Sequence, residues 1–347
     1  MRLIEKVWFK NHPAKYYLVP LLLPLTGLFY LLSSARRLAF RLGLMKSYQI
    51  DKTVIVVGNI GIGGNGKTPV VLHLVELAKT LGLKPGVISR GYGGTAEIYP
   101  YLLDNNSTTS QAGDEPILIY QRCNVPVVVG ADRVANAQML VELGCDIIIS
   151  DDGLQHYRLK RDLDIIVIDG KRQFGNGLLL PAGPLREGVW RLQQADMLIY
   201  NGSKPNELAI TNNNSSLLMK LAASEVIHIK TGKKLPLTTF LKQWQNINAV
   251  AGIGDPQRFF DTLQTLGFHL MKQQGFVDHK SFTVDDFNQF NQFNHFKVIL
   301  PLLMTEKDAV KCRAFAQDNW WYLPVNALFS EQDEHVIRQK IQVIATN

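Results

Sequence analysis

The order of apolar and polar residues beyond position 50 predicts alternating strands and helices. Short apolar runs with the length of buried strands occur at residues 53–57, 86–89, 125–129, 146–150, 164–169 and 197–200. Residues 70–81, between the first two runs, predict a helix. Continuously apolar strands that are separated by helical stretches indicate a parallel sheet covered on both faces. The sequence therefore predicts an α/β fold.

A second, smaller α/β lobe is predicted beyond the polar stretch at residues 201–216, which is the best candidate for a surface loop. Residues 217–222 and 226–230 predict two strands around a turn, which would suit a connection between lobes. Further along, the pattern predicts a strand at 249–251 and helices at 257–266 and 330–345. The expected divisions are an N-terminal segment at 1–48, a first domain at 49–216, a two-stranded linker at 217–235 and a smaller C-terminal lobe at 236–347.

The N-terminal segment contains twenty consecutive residues without a charge, 16–35, a length that could just span a bilayer. Pro20, Pro24 and Gly27 interrupt the run, and cations flank both ends with little asymmetry, which argues against a simple spanning helix. A buried core helix is the alternative. We expect a membrane-associated helix that lies in, or dips into, the membrane interface.

The charge distribution supports a membrane partner. Residues 1–50 hold eight Lys or Arg and one Glu, and this surplus of seven (eight minus one) equals the formal net charge of +7 of the whole chain. The remaining residues are electrically balanced, whereas a nucleic-acid-binding protein carries its basic surface on the folded domain. The sequence therefore favours an anionic membrane surface and excludes nucleic acid as a partner.

Composition narrows the class of protein further. With 347 residues, 46% hydrophobic and 19% charged, the chain is neither disordered nor fibrous, and its length suits roughly two domains. Its three cysteines (Cys123, Cys145 and Cys312) have no C-x-x-C spacing. This spacing supports neither a zinc site nor a disulfide framework and is typical of a reducing compartment.

The strongest chemical signal is a match to G-x-x-x-x-G-K-[ST] directly after the first predicted strand. Its residues, all expected to bind ATP, are Gly61, Ile62, Gly63, Gly64, Asn65, Gly66, Lys67 and Thr68. In such a loop, backbone N–H groups turn toward the phosphates, the lysine neutralises their charge, and the hydroxyl binds Mg²⁺. Pro69 suits the first turn of the following helix. The motif predicts a P-loop NTPase-like sheet with ATP and Mg²⁺ as cofactors.

A second signal lies at the end of the apolar run 146–150, where Asp151 and Asp152 are followed by Gly, Leu, Gln155 and His156. A carboxylate at the tip of a buried strand beside a P-loop is the arrangement that holds Mg²⁺, directly or through water. An ordinary Asp-Asp-Gly turn is the alternative. We expect metal binding by Thr68, Asp151 and Asp152, with the order of the two carboxylates left open.

Other candidate residues are weaker when taken singly. Asp114 and its neighbouring glutamate precede an apolar helix and would be an ordinary helix N-terminal charge pair. Asp278 and His279 form a carboxylate–imidazole pair in a predicted loop, and such a pair is more often structural than catalytic. Arg90 and Arg186 lie on glycine- or proline-rich loops and suit phosphate binding.

Together these motifs make the sequence resemble the tetraacyldisaccharide 4'-kinase family of the lipid A pathway over nearly its full length. The matching pieces, in order, are the apolar and basic N-terminus, GNGKTP (64–69), SRGYGG (89–94), AGDEP (112–116), ADR (131–133), DDGLQH (151–156), LPAGPLRE (180–187), DH (278–279) and TEKDAVK (305–311). Asn65 and Leu154 depart from the residues common in the family, Thr and Phe, without removing a group needed for chemistry.

The resemblance implies transfer of the ATP γ-phosphoryl group to the 4'-hydroxyl of a tetraacylated glucosamine disaccharide 1-phosphate. It implies that Asp114 accepts the hydroxyl proton, that His279 orients or tunes this base, and that Lys67 acts on the phosphates. The possible contacts to phosphate or substrate are Arg90, Arg133, Gln155, His156 and Arg186. The implied location is the cytoplasmic face of the inner membrane of a Gram-negative bacterium, where the lipid A precursor is the partner and no obligate protein partner is inferred.

Three other P-loop functions fit the sequence less well. A switch GTPase carries N-K-x-D for guanine, which the sequence lacks, and a partitioning ATPase has an additional lysine where Ile62 stands. A soluble small-molecule kinase leaves the apolar N-terminal segment without a role.

Overall fold

The computed structural model describes residues 3–204, 215–290 and 299–345, and its strands form two sheets. The strands are β1 (Thr53–Gly58), β2 (Pro85–Ser89), β3 (Tyr101–Leu102), β4 (Val127–Val129), β5 (Ile147–Asp151), β6 (Leu163–Asp169), β7 (Met197–Asn201), β8 (Ser215–Ala222), β9 (Glu225–His228), β10 (Lys234–Pro236), β11 (Asn246–Ala251), β12 (His269–Gly275), β13 (Leu302–Thr305), β14 (Trp320–Leu323) and β15 (Asn326–Leu328). The α-helices are α1 (Leu3–Phe9), α2 (Lys15–Arg41), α3 (Lys67–Thr80), α4 (Thr109–Ala112), α5 (Asp114–Cys123), α6 (Arg133–Glu142), α7 (Leu237–Gln243), α8 (Pro256–Thr265), α9 (Glu306–Cys312) and α10 (Glu331–Ala345). Short 3₁₀ helices cover Val189–Gln194, Val284–Phe290 and Arg313–Phe315.

The larger sheet has nine strands in the order β15-β8-β7-β6-β1-β5-β2-β4-β3 and is parallel except at its two edge strands. Its side chains alternate between two cores. In β1, Ile55 and Val57 enter the core that contains α3, while Val54 and Val56 enter the core on the opposite face. The continuous apolar run therefore reflects burial on both faces, and the predicted α/β fold with a parallel sheet is confirmed.

The smaller sheet has six strands in the order β10-β9-β14-β13-β11-β12, of which β14, β13, β11 and β12 run parallel. Its two faces are covered by separate clusters of buried aromatic and aliphatic side chains, one centred on Phe240 and one on Trp320. Most of the predicted surface loop at 201–216 lies outside the described residues, since the description resumes at Ser215 in β8.

The structure divides the lobes differently from the predicted boundaries. The expected linker at 217–235 contains two strands, but β8 pairs with β7 in the larger sheet and β9 pairs with β14 in the smaller one. The chain also returns to the larger lobe at its end: β15 pairs with β8, and Ile337 and Ile341 of α10 are buried in the same core as β1. The amphipathic pattern of 330–345 predicts a helix without specifying which sheet that helix covers.

The N-terminal segment forms two helices, and α2 continues through Pro20 and Pro24. The expectation that these prolines interrupt it is therefore corrected, since each removes one backbone hydrogen bond without ending the helix. Among the described residues, α2 is the one helix whose length and composition would suit a membrane span, and its apolar window is only 6% buried. This exposure rules out the alternative of a core helix.

A few contacts attach the N-terminal helices to the larger lobe. Thr26, the buried residue of α2, accepts a hydrogen bond from the backbone N of Ala182 at 3.0 Å. Trp8 of α1 donates from Nε1 to the carbonyl oxygen of Pro181 at 3.2 Å. Both contacts lie on the loop that carries Arg186, so the apolar helix and a candidate site loop are held together.

In the smaller lobe, a buried carboxylate organises the loop after β11. Asp308, which is fully buried on α9, accepts hydrogen bonds from the backbone N of Gly252 (2.8 Å) and from Thr305 Oγ1 (2.6 Å). It also pairs with Lys311 Nζ at 2.8 Å, and that ammonium is itself only 7% exposed. Removing the carboxylate would leave a buried cation without its partner.

We expect Asp308→Ala to lower the free energy of unfolding of this lobe by about 3–5 kcal/mol. The matched control is Asp318→Ala, because Asp318 is 86% exposed and pairs with the exposed Lys230, so its loss should leave the free energy of unfolding nearly unchanged. Urea unfolding followed by tryptophan fluorescence measures both, since three of the five tryptophans (Trp244, Trp320 and Trp321) lie in this lobe. Equal losses in the two variants would contradict the proposed role of Asp308.

Candidate active site

Most of the candidate residues line one large cleft between the two lobes, with a volume of about 2340 Å³. Asp114 and Asp151 are buried behind it, next to the cleft residues Glu115 and Asp152. The larger lobe contributes residues 62–68, the smaller lobe contributes Gly254 and His279, and α2 contributes Arg36 and Arg37. The lobes approach closely here, since a Cβ added to Gly254 would lie 3.8 Å from the backbone N of Gly64.

The loop of residues 61–68 connects the central strand β1 to the start of α3 and has the backbone of an anion-binding loop. Gly63 (φ +111°) and Gly66 (φ +93°) adopt conformations that favour glycine, and a Cβ on Gly66 would lie 2.6 Å from Asn201 Nδ2. Lys67 is the first residue of α3, so its side chain stands at the positive end of the helix dipole. Thr68 follows in the same first turn and also lines the cleft.

The two predicted metal ligands have different surroundings. Asp151 ends β5, opposite Val57 of β1, and is 1% exposed, and neither of its carboxylate oxygens has a hydrogen-bond partner in the described part of the chain. Burial and the charge of Glu115 raise the pKa of Asp151 to about 7. A buried carboxylate with both oxygens free of hydrogen bonds is a ready cation ligand.

Asp152, by contrast, is surrounded by cations. Its carboxylate lies 3.0 Å from Arg186 Nη1 and 3.6 Å from Lys67 Nζ. Burial acts to raise the pKa of Asp152, but the charges of Lys67 and Arg186 outweigh it and lower that pKa. Asp152 also has a left-handed backbone (φ +50°), which is uncommon outside glycine and places its side chain toward the P-loop lysine.

Of the predicted phosphate contacts, Arg133 and Arg186 are fixed by neighbouring backbone. Arg133 is 3% exposed and donates from Nη2 to the carbonyl oxygen of Asp151 at 3.2 Å, and burial lowers its pKa to about 10. Arg186 is held at the loop because its backbone N donates to the carbonyl oxygen of Ile60 at 2.7 Å. Arg90 is exposed and lines the cleft.

Gln155 and His156 are neighbours in sequence but differ in their surroundings. Gln155 Nε2 donates to the carboxylate of Glu187 (3.0 Å) and to the carbonyl oxygen of Asn59 (3.2 Å), so it is engaged in holding neighbouring protein groups. Burial and the charge of Arg133 lower the pKa of His156 to about 4, which keeps the imidazole neutral at pH 7. Both side chains line the cleft.

Asp114 and His279 come together across the two lobes. Asp114 is the first residue of α5 and is 6% exposed, and its Oδ2 lies 3.2 Å from Nδ1 of His279. The interaction of its Nδ1 with the Asp114 carboxylate, which stabilises the protonated imidazole, raises the pKa of His279. Burial opposes ionisation of Asp114, but the hydrogen bond with His279 and the charge of Lys307 lower its pKa. Tyr92 covers the imidazole, with ring centroids 5.1 Å apart.

Lys307 is a site residue that the sequence did not single out. It lies on α9 of the smaller lobe, and its Nζ is 3.0 Å from Glu115 Oε1 and 3.2 Å from Asp278 Oδ1. Burial acts to lower the pKa of Lys307, but the charges of Glu115, Asp114 and Asp278 raise it. The sequence indicated Lys307 only through its position in the TEKDAVK segment (305–311), which matches the family.

Two reciprocal arginine–carboxylate pairs also cross between the lobes near the P-loop. Arg172 of the larger lobe pairs with Asp255 at 2.7 Å, and Arg258 of α8 pairs with the buried Asp169 at the end of β6, also at 2.7 Å. These pairs hold the loop after β11 against the nucleotide-binding loop.

Comparison with known proteins identifies the family of the chain. The family model described as tetraacyldisaccharide-1-P 4'-kinase matches residues 18–342. The chain belongs to this family. A tetraacyldisaccharide 4'-kinase of Colwellia psychrerythraea is 60% identical over 99% of this chain and 98% of its own length, and one of Vibrio vulnificus is 47% identical over 98% and 96%.

A solved structure of the family has the same fold. The crystal structure of LpxK from Aquifex aeolicus, described as a complex with ATP, superposes with a TM-score of 0.78 at 27% identity and covers 94% of this chain and 99% of its own. The family assignment made from the motifs is thereby confirmed. The matched residues, 18–342, include most of α2 and both lobes with the cleft between them.

Proposed function

We propose that the protein transfers the γ-phosphoryl group of ATP to the 4'-hydroxyl of a tetraacylated glucosamine disaccharide 1-phosphate, using Asp114 as the base. Family membership makes the chain a kinase of lipid A biosynthesis. The observation that carries the proposed site is the contact between the buried Asp114 and His279, which lines the same cleft as Lys67. Phosphoryl transfer to an alcohol needs charge neutralisation at the phosphates and one group that accepts the hydroxyl proton.

Asp114 suits the role of base because its carboxylate remains ionised at neutral pH. As the hydroxyl oxygen attacks the γ-phosphorus, its proton passes to Asp114, and the bond to the ADP oxygen breaks. His279 orients the carboxylate and stabilises its ionised form, which is the form that accepts the proton. The two groups belong to different lobes, so the relative position of the lobes determines whether the pair is assembled.

The phosphates would be held by the larger lobe. Within the loop, the N–H groups of Ile62 and Asn65 donate to the carbonyl oxygens of Pro184 and Gly63. The N–H groups of the loop glycines and the Lys67 ammonium would bind the β- and γ-phosphates. Arg186, Arg90 and Arg133 line the same cleft and would supply further positive charge. Asp152 orients Lys67 and Arg186 through its ion pairs.

The residues present also fit Mg²⁺. Asp151 carries two buried oxygens without hydrogen bonds, and Thr68 places a hydroxyl at the start of α3, so Asp151 is the better direct ligand and Asp152 the more distant one. In the described residues, no group of three or more His, Cys, Asp or Glu side chains surrounds a metal position, so the ion would complete its shell with nucleotide oxygens and water. Bound Mg²⁺ would supply charge neutralisation at the phosphates.

The lipid substrate accounts for the N-terminal helices. The exposed apolar side chains of α2 would lie in the bilayer interface at the cytoplasmic face of the inner membrane, where the acyl chains of the substrate are anchored and ATP is available. Phe29, Ser33, Arg36 and Arg37 of α2 line the catalytic cleft. The same helix would therefore both bind the membrane and border the path of the sugar headgroup.

Acceptor-dependent labelling tests the proposal. Purified protein is incubated with γ-labelled ATP and Mg²⁺, with the acylated disaccharide 1-phosphate in mixed micelles, with the same disaccharide after deacylation, or with no acceptor. The expected result is label in the lipid fraction of the first reaction and little release of inorganic phosphate without acceptor. Rapid hydrolysis that is independent of acceptor would instead favour an ATPase.

Membrane attachment is tested by substituting one exposed face of α2. Leu21, Leu25 and Leu28 are 71%, 54% and 53% exposed and recur at helical spacing, while Thr26 keeps its contact with the lobe. Each buried leucine contributes about 1.5–3 kcal/mol to membrane partition, so the triple Leu→Gln variant should bind vesicles more than 100-fold more weakly.

The matched control replaces the exposed apolar residues Leu143, Leu328 and Val343 of the larger lobe by Gln, and should bind like the wild type. The wild-type protein should remain bound in 1 M salt, because burial dominates over charge. Its complete release by salt would show that the attachment is only electrostatic.

A further inference from the structure

The ammonium of Lys307 is placed at the centre of the candidate catalytic groups. Three acceptors lie within reach of its three protons: Glu115 Oε1 at 3.0 Å, Asp278 Oδ1 at 3.2 Å and His279 Nε2 at 3.4 Å. Asp114 Oδ2 is 3.8 Å from the ammonium, a distance at which the two charges attract each other. The side chain of Lys307 is only 16% exposed, so solvent screens these interactions weakly.

The contact with His279 determines which of its nitrogens carries the proton. An ammonium has three donors and no acceptor, so an Nε2 that faces Lys307 must present its lone pair. A neutral imidazole then carries its proton on Nδ1, the nitrogen that lies 3.2 Å from Asp114 Oδ2. The Nδ1 proton then lies on the side of Asp114, whose Oδ2 has no well-aligned hydrogen-bond donor among the described residues. Asp278 Oδ2 approaches Nε2 to 3.8 Å, farther than the Lys307 ammonium at 3.4 Å.

We propose that Lys307 is a positioning residue that holds His279 in the Nδ1–H tautomer, so that the imidazole donates to Asp114 and keeps that carboxylate free to accept the hydroxyl proton. This inference rests on the proposed function, in which Asp114 is the base. In this arrangement α9 brings one cation from the smaller lobe to two acidic residues of α5 and to the loop that carries His279.

The charged surroundings give the proposal a pH signature. The groups that face the pair are Tyr92, Asp278, and Lys307 and Lys311 from α9, while Glu115 of α5 binds Lys307. The positive charge of Lys307 lowers the pKa of Asp114 and acts to lower that of His279. Removing the charge raises both values, so the pair takes up a proton at a higher pH, and the acidic limb of the kcat–pH profile moves upward.

We therefore expect Lys307→Met to lower kcat roughly tenfold at pH 7, with the KM for ATP little changed, and to move the acidic limb upward by about one pH unit. Lys307→Arg keeps the positive charge. Its kcat–pH profile should therefore have its acidic limb at the wild-type pH, even if the value of kcat changes. Lys230→Met, a loss of charge on the surface of the same lobe, should resemble the wild type throughout. A Lys307→Met variant that loses activity by the same factor at every pH would overturn the proposal.

A spectroscopic readout separates this inference from the proposed function and does not depend on activity. In ¹⁵N-histidine-labelled wild-type protein, with His279 assigned by comparison with His279→Gln, two-bond ¹H–¹⁵N couplings report the tautomer. The Nδ1–H form is expected, and the Nε2–H form would overturn the proposal even if Lys307→Met does not fold. If the wild type shows no acceptor-dependent turnover, the proposed function fails, while the tautomer still decides whether Lys307 orients His279.

Discussion

The Lys67→Met variant should lose turnover by on the order of 10³-fold while keeping its fold, because its ammonium acts on charge that develops during phosphoryl transfer. The side chain lines the cleft and pairs with Asp152 at 3.6 Å, without entering either core. Removing it frees Asp152 to pair more fully with Arg186 and leaves the phosphates without their nearest cation. Single-turnover kinetics with acylated disaccharide measure the loss.

Lys79→Met is the matched control, since Lys79 lies on the same helix outside the cleft, where it pairs with Glu76 and donates to the carbonyl oxygen of Cys123. Its turnover should remain within about twofold of the wild type, as surface ion pairs contribute little. Circular dichroism and thermal melting of both variants report the fold. Melting of Lys67→Met at a much lower temperature, with activity lost only in proportion, would assign Lys67 a structural role.

The second large effect is expected for Asp114→Asn, which keeps the shape of the side chain and removes its ability to accept a proton. We expect kcat to fall by about 10²–10⁴-fold, with the KM for ATP nearly unchanged, because a general base acts mainly in the transition state. Asp104→Asn, an exposed substitution in the same lobe, is the control and should be active.

The His279→Gln variant tests whether the two residues work as a unit. Its kcat should fall less than that of Asp114→Asn, and the double variant should be hardly worse than Asp114→Asn alone. This non-additivity follows from the 3.2 Å contact, through which His279 acts on Asp114. Fully additive losses would mean that the two side chains contribute independently.

The larger lobe could be predicted in detail because its signals are local. A strand buried on both faces is continuously apolar, and the residues of a P-loop are consecutive, so β1, α3 and the phosphate-binding residues follow from one short stretch. The carboxylates at the end of β5 could likewise be placed beside the loop, because parallel strands bring their carboxyl ends to one edge of a sheet.

The site residues contributed by the smaller lobe depend on long-range packing. Lys307 is 192 residues from Glu115 and 28 from His279, and no local pattern indicates that α9 brings it to both. Long-range packing also explains why the predicted C-terminal lobe included residues 330–345. The periodicity of α10 predicts an apolar face, but it does not indicate which of the two sheets that face packs against. The pairing of Asp114 with His279 was expected from the family resemblance alone.

The most direct test of the central claim is the position of the new phosphate on the product. After reaction with ATP and the purified protein, ³¹P–¹H correlation NMR of the extracted lipid should show a monoester coupled to the proton on carbon 4' and an unchanged phosphate at carbon 1. The product should be absent when Asp114→Asn replaces the wild type over the same time. A phosphate on another hydroxyl, a pyrophosphate at carbon 1, or release of inorganic phosphate alone would contradict the account.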